Sequence, residues 1–479
     1  MAIKVSVKDV RFYMRNVRTR MPFKYGQATL TSVPILHTLM DVELDDGTLT
    51  RGMAADILPP KWFDKDPAKD YERNVGDLIW GARAAAAAYG EAGKRSKSVF
   101  AIWRRGYADS LAAGEAQHLN HLTSAHGSSL MERALIDGVG RTLGETYHEM
   151  LRENTLGVDF SLIHPELDGV MPIDVIAPDP LGRIYVRHTV GLADPIRTGD
   201  ISREERLDDG LPQSLEEYID EQGISYFKIK VNGDLEGDLE RLRRIAELLD
   251  RTEVPYHVSL DGNEQYREME TFLELMGRMQ EDRVLDRFYS SIIYIEQPLD
   301  RAAALDPALE AGIRSASARK PMVIDESDED LGVFKAAVDL GYLGVSSKNC
   351  KGVLKALTNQ ALARHFGEGY FLTGEDLMNL PIVALHQDLV HLAALGIPHA
   401  ERNGHHYVRG LDHLSSSERR GCRLRHEGLY RQRGDSLVLD IRRGRIELGS
   451  LQMPGLGVGV APDLDSMVPL EEWEFSSLE

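Results

Sequence analysis

A short apolar strand that ends in two lysines, Tyr226-Phe227-Lys228-Ile229-Lys230, decides the fold of this chain together with the residues that follow it. Residues 235–249 then repeat apolar side chains with helical spacing, and the next apolar run, 256–260, ends in Asp261-Gly262-Asn263. A strand, a helix and another strand make a parallel β/α unit. The stretch therefore predicts a parallel sheet whose strand ends carry charged side chains.

The same alternation of strand and helix extends on both sides of this unit. Further strands are predicted at 184–190, 292–295, 322–324, 343–346, 370–373 and 399–401. Further helices are predicted at 214–221, 266–279, 302–314, 331–340, 352–364 and 383–395. Eight strands alternating with helices are what a closed barrel requires. A doubly wound open sheet is the alternative, but it needs a Gly-rich phosphate loop after its first strand, and the sequence has none there.

The two ends of the chain have a different pattern. Strands are predicted at 4–13, 35–44 and 48–53, the last two joined by an Asp-Asp-Gly turn, and helical patterns follow. After residue 437 alternating strands return and lead to Pro454-Gly455-Leu456-Gly457. We expect an α/β protein: a TIM-type (β/α) barrel over residues 181–436, an α+β capping domain over residues 1–180, and a tail over residues 437–479 that returns to the capping domain.

Composition limits the possible partners and location. The chain has 479 residues, enough for two domains, and a formal net charge of −20, which argues against binding to nucleic acid or to an anionic membrane. Two cysteines, Cys350 and Cys422, support neither a disulfide framework nor a cysteine metal site. The amino terminus lacks the apolar core of a signal peptide, and no apolar run reaches the ~18 residues that a membrane span needs. We expect a cytoplasmic protein.

Charged residues recur where the predicted strands end, and a barrel brings those ends to one rim. The residues are Lys228, Lys230, Asp261, Glu296, Asp325 and Lys348. Burying unpaired charge is unfavourable, so a structural core would avoid such a set. Three carboxylates provide only oxygen ligands, which suit Mg²⁺ or Mn²⁺. Like-charge repulsion from the cation and from a neighbouring lysine is expected to lower the pKa of a lysine base from its usual value of about 10.4. The pattern indicates proton abstraction assisted by a metal ion.

The order of these motifs resembles that of the enolase superfamily, and most closely its muconate-lactonizing-enzyme branch, in the group that also includes mandelate racemase. The resemblance covers nearly the whole chain, including the Pro-Gly-Leu-Gly near its carboxyl end. It implies that Asp261, Glu296 and Asp325 bind the metal. It also implies that Lys230 is the base on one face of the substrate, that Lys348 is the acid/base on the other face, and that Lys228 tunes Lys230.

The implied activity is removal of the α-proton of a small-molecule carboxylate to give an enediolate. Lysines on both faces favour a racemase, an epimerase or a cycloisomerase. Three alternatives stay open. An acid-sugar dehydratase uses the same chemistry, and so does an ammonia lyase, although the lysine pair matches it less well. The third alternative is a non-catalytic carboxylate-binding protein. We also expect a homo-oligomer.

Several positions depart from the family pattern, so the known substrates of the family do not transfer to this chain. The sequence after Lys348 has one glycine, Gly352, where a Gly-Gly pair is usual. The seventh strand end lacks the histidine of mandelate-racemase-like members, and the eighth lacks the Asp-x-Asp of dipeptide epimerases. Candidate substrate contacts are Asn263, Glu326, Glu375 and His406. Residues 21–26 resemble the mobile capping loop of the family, with 56–61 as a companion, and a plain surface loop is the alternative.

Overall fold

The structure, a computed structural model, describes residues 2–26 and 28–478. The end positions 1 and 479 of the predicted domains lie outside the described residues. The strands are β1 (Lys4–Tyr25), β2 (Ala28–Leu44), β3 (Leu49–Ile57), β4 (Lys97–Ser98), β5 (Arg183–Val190), β6 (Tyr226–Lys230), β7 (His257–Asp261), β8 (Ile292–Glu296), β9 (Met322–Ile324), β10 (Gly344–Ser347), β11 (Phe371–Gly374), β12 (His399–Arg402), β13 (Tyr430–Arg433), β14 (Ser436–Leu439), β15 (Arg445–Glu447) and β16 (Val468–Pro469). The α-helices are α1 (Tyr71–Ala92), α2 (Val99–Ala116), α3 (His121–Leu143), α4 (Tyr147–Arg152), α5 (Pro172–Val175), α6 (Leu215–Gln222), α7 (Leu235–Leu249), α8 (Met269–Glu281), α9 (Asp286–Ser290), α10 (Glu310–Ser317), α11 (Val333–Leu340), α12 (Val353–Phe366), α13 (Val383–Leu395), α14 (Gly404–Tyr407) and α15 (Ser416–Arg425).

The amino-terminal part forms an antiparallel sheet in the order β16-β1-β2-β3, with β4 also paired to β1. The first predicted strand was too short, because β1 continues to Tyr25 and pairs again with β2 at Phe23↔Leu30 after an irregular stretch. That irregularity, which contains Pro22, interrupts the alternation of buried and exposed residues from which the strand was predicted. The segment 21–25 is therefore the far end of a hairpin, and not a loop.

Helix α3 connects this sheet to the barrel and is buried along most of its length. It begins at the cap Asn120, whose side chain accepts a hydrogen bond from the Thr123 N–H. Gly52 of β3 lies against it so closely that a Cβ there would stand 1.8 Å from the carbonyl oxygen of Ala134. The glycine thus allows the sheet and helix backbones to touch.

Within the described residues, β5 to β12 form a parallel barrel of eight strands, closed by the pairing of β12 with β5. The expected fold class, a TIM-type barrel with an α+β capping domain, is confirmed. The predicted barrel strands agree with the observed ones to within one residue at each end. The helix predicted at 302–314 was wrong in its first turns, because a 3₁₀ turn capped by Asp306 precedes α10.

The tail contacts the capping helices. The Gly455 N–H donates to the carbonyl oxygen of Glu145, and the Leu456 N–H donates to Asp137 Oδ1 on α3. Further on, β16 pairs with β1. The division of the chain at residues 180 and 436 stays a prediction. Among the described residues, no helix combines the length and the apolar character that crossing a membrane would require.

Candidate active site

The barrel strands bring the predicted site residues to one rim. Lys230, Asp261 and Glu296 are the last residues of β6, β7 and β8, while Asp325 and Lys348 directly follow β9 and β10. Because parallel strands all end on the same side of a barrel, these side chains converge above its core. All of them are buried, and Asp261, Glu296 and Asp325 have no exposed surface.

Lys228, two residues before Lys230, lies deeper in the barrel among four carboxylates. Its Nζ lies 2.9 Å from Asp261 Oδ2, 2.8 Å from Glu296 Oε2, 2.7 Å from Glu375 Oε2 and 3.0 Å from Glu401 Oε2. Burial alone would lower its pKa, but the surrounding carboxylates hold the pKa well above its usual range. Lys228 is therefore a permanent positive charge at the centre of an acidic cluster.

The two lysines predicted to act on substrate stand apart and bind different carboxylates. Lys230 Nζ lies 2.5 Å from Asp261 Oδ2, and Lys348 Nζ lies 2.5 Å from Asp325 Oδ2. Their strands, β6 and β10, are four positions apart in a ring of eight. The two ammonium groups consequently approach the mouth of the barrel from opposite sides.

The same contacts set the electrostatics of Lys348 and Asp325. Burial would lower the pKa of Lys348, but Asp325 raises it above its usual range. Conversely, burial would raise the pKa of Asp325, but Lys348 and then Lys351 hold it well below its usual range. The pair is an ion pair in this arrangement. The predicted lowering of lysine pKa values by a bound cation belongs to a different state of the site and stays a prediction.

The chemistry of the three carboxylates fits a divalent cation. They supply only oxygen ligands from three neighbouring strands. Glu296 gives the clearest indication of a cation site. Burial, then Asp261 and Glu375, raise its pKa well above its usual range. In addition, its Oε2 makes no hydrogen bond despite the nearby Lys228 ammonium. However, no three His, Cys, Asp or Glu side chains in the described part of the chain already stand in a metal-binding arrangement. A cation binding there has to displace lysine ammonium groups from the carboxylate oxygens.

The predicted substrate contacts lie in different places. Asn263 lines the cavity above the lysines, and its Nδ2 donates to Glu326 Oε1 at 3.2 Å. Glu326 is buried beside that amide, and Glu375 lies below the cavity, where it accepts hydrogen bonds from Lys228 and Tyr294. His406 is not part of the cavity wall, since its Nδ1 pairs with Tyr218 Oη at 2.9 Å behind the barrel strand β5.

Glu401 is a residue of this cluster that the sequence prediction missed. It lies in the last barrel strand, lines the cavity, binds Lys228 and accepts a hydrogen bond from Thr189 Oγ1 at 2.7 Å. The other acids were found as charged residues at the ends of predicted strands, and Glu401 is also the last residue of the strand predicted at 399–401. The sequence analysis considered the eighth strand end, where Glu401 lies, only for the Asp-x-Asp motif that this strand end lacks.

The cavity has a polar floor and an apolar ceiling. The barrel supplies Lys228, Lys230, Asn263, Lys348, Asp376, Glu401 and Asn403. The capping part supplies Phe23, Tyr25, Leu30, Ile57, Pro59 and Trp62. Trp62 covers Lys348, with its ring centre 4.4 Å from the Nζ atom, and so shields that ammonium from water.

The loop between β3 and α1, residues 58–70, carries Trp62 and is fastened to the barrel; we refer to it as the lid loop. Arg301 donates hydrogen bonds to the carbonyl oxygens of Trp62 and Phe63, each at 2.9 Å, and binds Glu264. Lys65 forms an ion pair with the same Glu264 and donates to a backbone carbonyl on the barrel rim. The lid loop is thereby held closed by charged contacts at its middle.

A larger cavity of about 850 Å³ lies to one side, lined among others by Arg20, Asp194 and Arg241. It contains none of the predicted metal ligands or lysines. We therefore take the smaller cavity over the lysines, which measures about 30 Å³ in this closed form, as the candidate active site.

Comparison with known proteins places the chain in a family. The family model described as "Enolase C-terminal domain-like" matches residues 210–464, which is more than half of the 479 residues. The chain is a member of the enolase superfamily. As such it is an enzyme of the isomerase or lyase type, in the group that contains the muconate lactonizing enzymes and mandelate racemases. No curated protein matches this superfamily member in sequence.

Several solved structures share the fold of this enolase-superfamily member. Muconate lactonizing enzyme from Pseudomonas fluorescens, complexed with muconolactone, is 16% identical over 96% of this chain and 98% of its own, with a TM-score of 0.59. A dipeptide epimerase from Methylococcus capsulatus, complexed with Mg and the dipeptide L-Arg-D-Lys, is 18% identical over 97% and 99%, with a TM-score of 0.57. N-succinyl Arg/Lys racemase from Bacillus cereus is 16% identical over 97% of both chains, with a TM-score of 0.59.

Proposed function

We propose that this enzyme removes the α-proton of a small-molecule carboxylate with the help of Mg²⁺, and that it is a racemase, an epimerase or a cycloisomerase. One observation carries the proposal. Lys230 and Lys348 enter the same cavity from strands on opposite sides of the barrel, so a substrate held between them presents one face to each ammonium. This is the geometry that inversion at a carbon atom needs, since a proton leaves from one side and another arrives from the other.

Each side chain has a role that follows from its position. Lys230 and Lys348 exchange a proton with the substrate α-carbon. Asp261, Glu296 and Asp325 would hold Mg²⁺, or Mn²⁺ in its place, and the bound cation would supply positive charge where the substrate carboxylate gains electron density. Lys228, fixed by Glu375 and Glu401, keeps the acidic floor from repelling that carboxylate.

Other reaction types use the same residues. A dehydratase acting on an acid sugar would need polar groups around the substrate hydroxyls, which the floor offers only through Asn263, Asp376, Glu401 and Asn403. A non-catalytic carboxylate-binding protein has no use for two lysines on opposite sides of its ligand. We therefore favour the isomerase.

The test is proton exchange in D₂O with Mg²⁺, followed by NMR on a panel of hydroxy acids, amino acids, dipeptides and sugar acids. We expect loss of the α-proton signal for at least one acid, and loss of that activity when EDTA removes the metal. Lys230→Ala and Lys348→Ala should each lower the rate of inversion by a factor on the order of 10² to 10⁴. Either variant is expected to retain exchange with one enantiomer at most.

The matched control is Lys335→Ala, which removes an exposed lysine of α11 far from the cavity and should leave the exchange rate unchanged. Full inversion activity in both Lys230→Ala and Lys348→Ala would refute the roles of these lysines. Binding of an acid without exchange in the wild-type protein would instead support a binding protein.

We also propose a homo-oligomer in the cytoplasm. Three exposed apolar side chains, Leu162, Met171 and Ile173, lie in one short segment, which suits contact with a second copy. The free, buried thiols of Cys350 and Cys422 suit a reducing compartment. The molar mass in solution, measured by light scattering, tests the first point, and a mass of 53.5 kDa would contradict it.

A further inference from the structure

The ceiling of the cavity differs from its floor in a way that bears on the substrate. Every ceiling residue from the capping part is apolar or aromatic: Phe23, Tyr25, Leu30, Ile57, Pro59 and Trp62. Leu377 and Met378, which follow β11, extend this surface. All the charged side chains that line the cavity belong to the floor.

Three polar side chains that belong to the ceiling elements or fasten them already have partners. The Tyr25 hydroxyl donates to the carbonyl oxygen of Pro60 at 2.8 Å, so it has no hydrogen left to donate to a ligand. Lys65, one of the lysines of the lid loop, is held by Glu264 and by the carbonyl oxygen of Asn263. Arg301 is held by Glu264 and by two lid-loop carbonyls. Of these three residues, only Tyr25 lines the cavity.

The rings of the ceiling pack on other rings. Phe23 stacks on Tyr407 with ring centres 4.0 Å apart, and Trp62 meets Phe63 edge to face at 4.8 Å. The closed cavity measures about 30 Å³, which holds roughly two water molecules. A substrate therefore enters only when the lid loop or the hairpin end moves, and it then packs against the aromatic faces that these elements carry.

We propose that the substrate is a carboxylate whose remaining part is apolar, preferably with a ring, and that the ceiling discriminates against acids with a second charge or several hydroxyls. The inference rests on the proposed function, because that function places the reacting carboxylate on the floor and so directs the rest of the molecule upward. A second carboxylate at the ceiling meets no cation and loses its water. Sugar hydroxyls there lose hydrogen bonds to water without replacement. An aromatic or aliphatic group gains contact area instead.

The test compares acids that share the reacting group and differ only in the distant one. In the hydroxy-acid series, 3-phenyllactate is compared with 2-hydroxyglutarate and gluconate; in the amino-acid series, phenylalanine is compared with glutamate. For each acid, binding to the Mg²⁺-loaded protein is measured by calorimetry, and α-proton exchange is measured by NMR in D₂O. We expect the apolar acid of at least one series to bind about tenfold or more tightly than its charged partner, and to exchange.

The outcomes separate this inference from the proposed function. Exchange that is equal or faster with the charged or polyhydroxylated acids overturns the apolar preference and leaves proton abstraction standing. Tighter binding of the apolar acid with no exchange of any acid overturns proton abstraction and supports the apolar ceiling. Failure of both apolar acids to bind overturns the inference.

A pair of variants on one strand adds a second readout. Ile57→Arg places a cation in the ceiling at the end of β3, and should reverse the ranking toward 2-hydroxyglutarate or glutamate by about tenfold. Leu49→Arg makes the same change at the other, exposed end of β3 and should leave the ranking as in the wild type. Circular dichroism shows whether each variant folds. A folded Ile57→Arg protein with an unchanged ranking counts against the inference, and if that variant does not fold, the wild-type ranking decides alone.

Discussion

Lys228 shows how a residue predicted for one role can be placed for another. The sequence places it next to Lys230 and predicts that it lowers the pKa of that lysine by repulsion. In the structure its ammonium group lies within 3.0 Å of four buried carboxylates. The positive charge of Lys228 offsets part of the negative charge of these carboxylates. The main role of Lys228 is therefore to make burial of the acidic floor possible.

A variant that removes this charge tests that role. Lys228→Met keeps the approximate shape of the side chain but leaves Asp261, Glu296, Glu375 and Glu401 without their shared cation. We expect the free energy of unfolding to fall by about 3 to 5 kcal/mol, measured by urea unfolding at pH 7 in the presence of EDTA.

Lys335→Met is the matched control for this change. It breaks an ion pair with Glu166 in which the lysine side chain is 46% exposed, and should cost less than about 1 kcal/mol. Equal losses in the two variants would mean that the four carboxylates are neutralised without Lys228.

At the scale of elements, the barrel was predictable and the lid loop was not. Five successive barrel strands, β6 to β10, each end at or directly before a charged residue, and the order of these strand ends is visible in the sequence. The contacts of the lid loop join residues far apart in the chain: Lys65 and Asn263 are 198 positions apart, and Trp62 and Arg301 are 239 apart. No local pattern in residues 58–70 marks Trp62 as the cover of Lys348.

The end of the β1–β2 hairpin was missed for a different reason. Its strand continues past a register shift between Arg18 and Phe23, and a period-two pattern cannot be followed through such a shift. As a result, Phe23, the ceiling residue on the hairpin, was expected in a loop. The floor of the site therefore follows from the sequence, whereas the ceiling depends on tertiary packing.

The fastening of the lid loop can be tested with one arginine. Arg301→Ala removes two hydrogen bonds to lid-loop carbonyls while Lys65 still neutralises Glu264, so we expect local opening without global unfolding. Amide hydrogen exchange within residues 58–70 should become at least about tenfold faster, which corresponds to ~1.4 kcal/mol of local stability.

Arg314→Ala is the comparison for this experiment. Arg314, on α10, pairs with Glu310 at the surface, and its loss should leave lid-loop exchange as it is in the wild type. If exchange in residues 58–70 is the same in Arg301→Ala and in the wild type, contacts other than those of Arg301 hold the lid loop closed.

At the scale of the whole molecule, the site exists only where the capping part meets the barrel. The floor comes from β6 to β12 and the ceiling from the amino-terminal hairpin and the lid loop, so the relative position of the two parts sets the size of the cavity. The tail contributes to that position because it leaves the barrel and binds the capping helix α3. Pro454-Gly455-Leu456-Gly457, which the sequence singled out, is the segment where it does so.

Gly455 is the position at which this connection can be tested. Its φ of +82° lies in the left-handed region, and a Cβ there would stand 2.5 Å from Asp137 Oδ1, the atom that accepts the Leu456 N–H. Gly455→Ala thus combines backbone strain with a clash against α3, and we expect it to lower the free energy of unfolding by about 2 to 4 kcal/mol.

Gly434→Ala separates these two effects. Gly434 also has a positive φ, +57°, but a Cβ there meets nothing within 4 Å, so only strain of about 1 kcal/mol remains. Unfolding of both variants in urea gives the difference between their free energies of unfolding.

Because the clash is at the contact between tail and capping helix, Gly455→Ala should also slow proton exchange of the substrate, whereas Gly434→Ala should not. Equal stability and equal activity of the two variants would show that the tail does not position the capping part over the lysines.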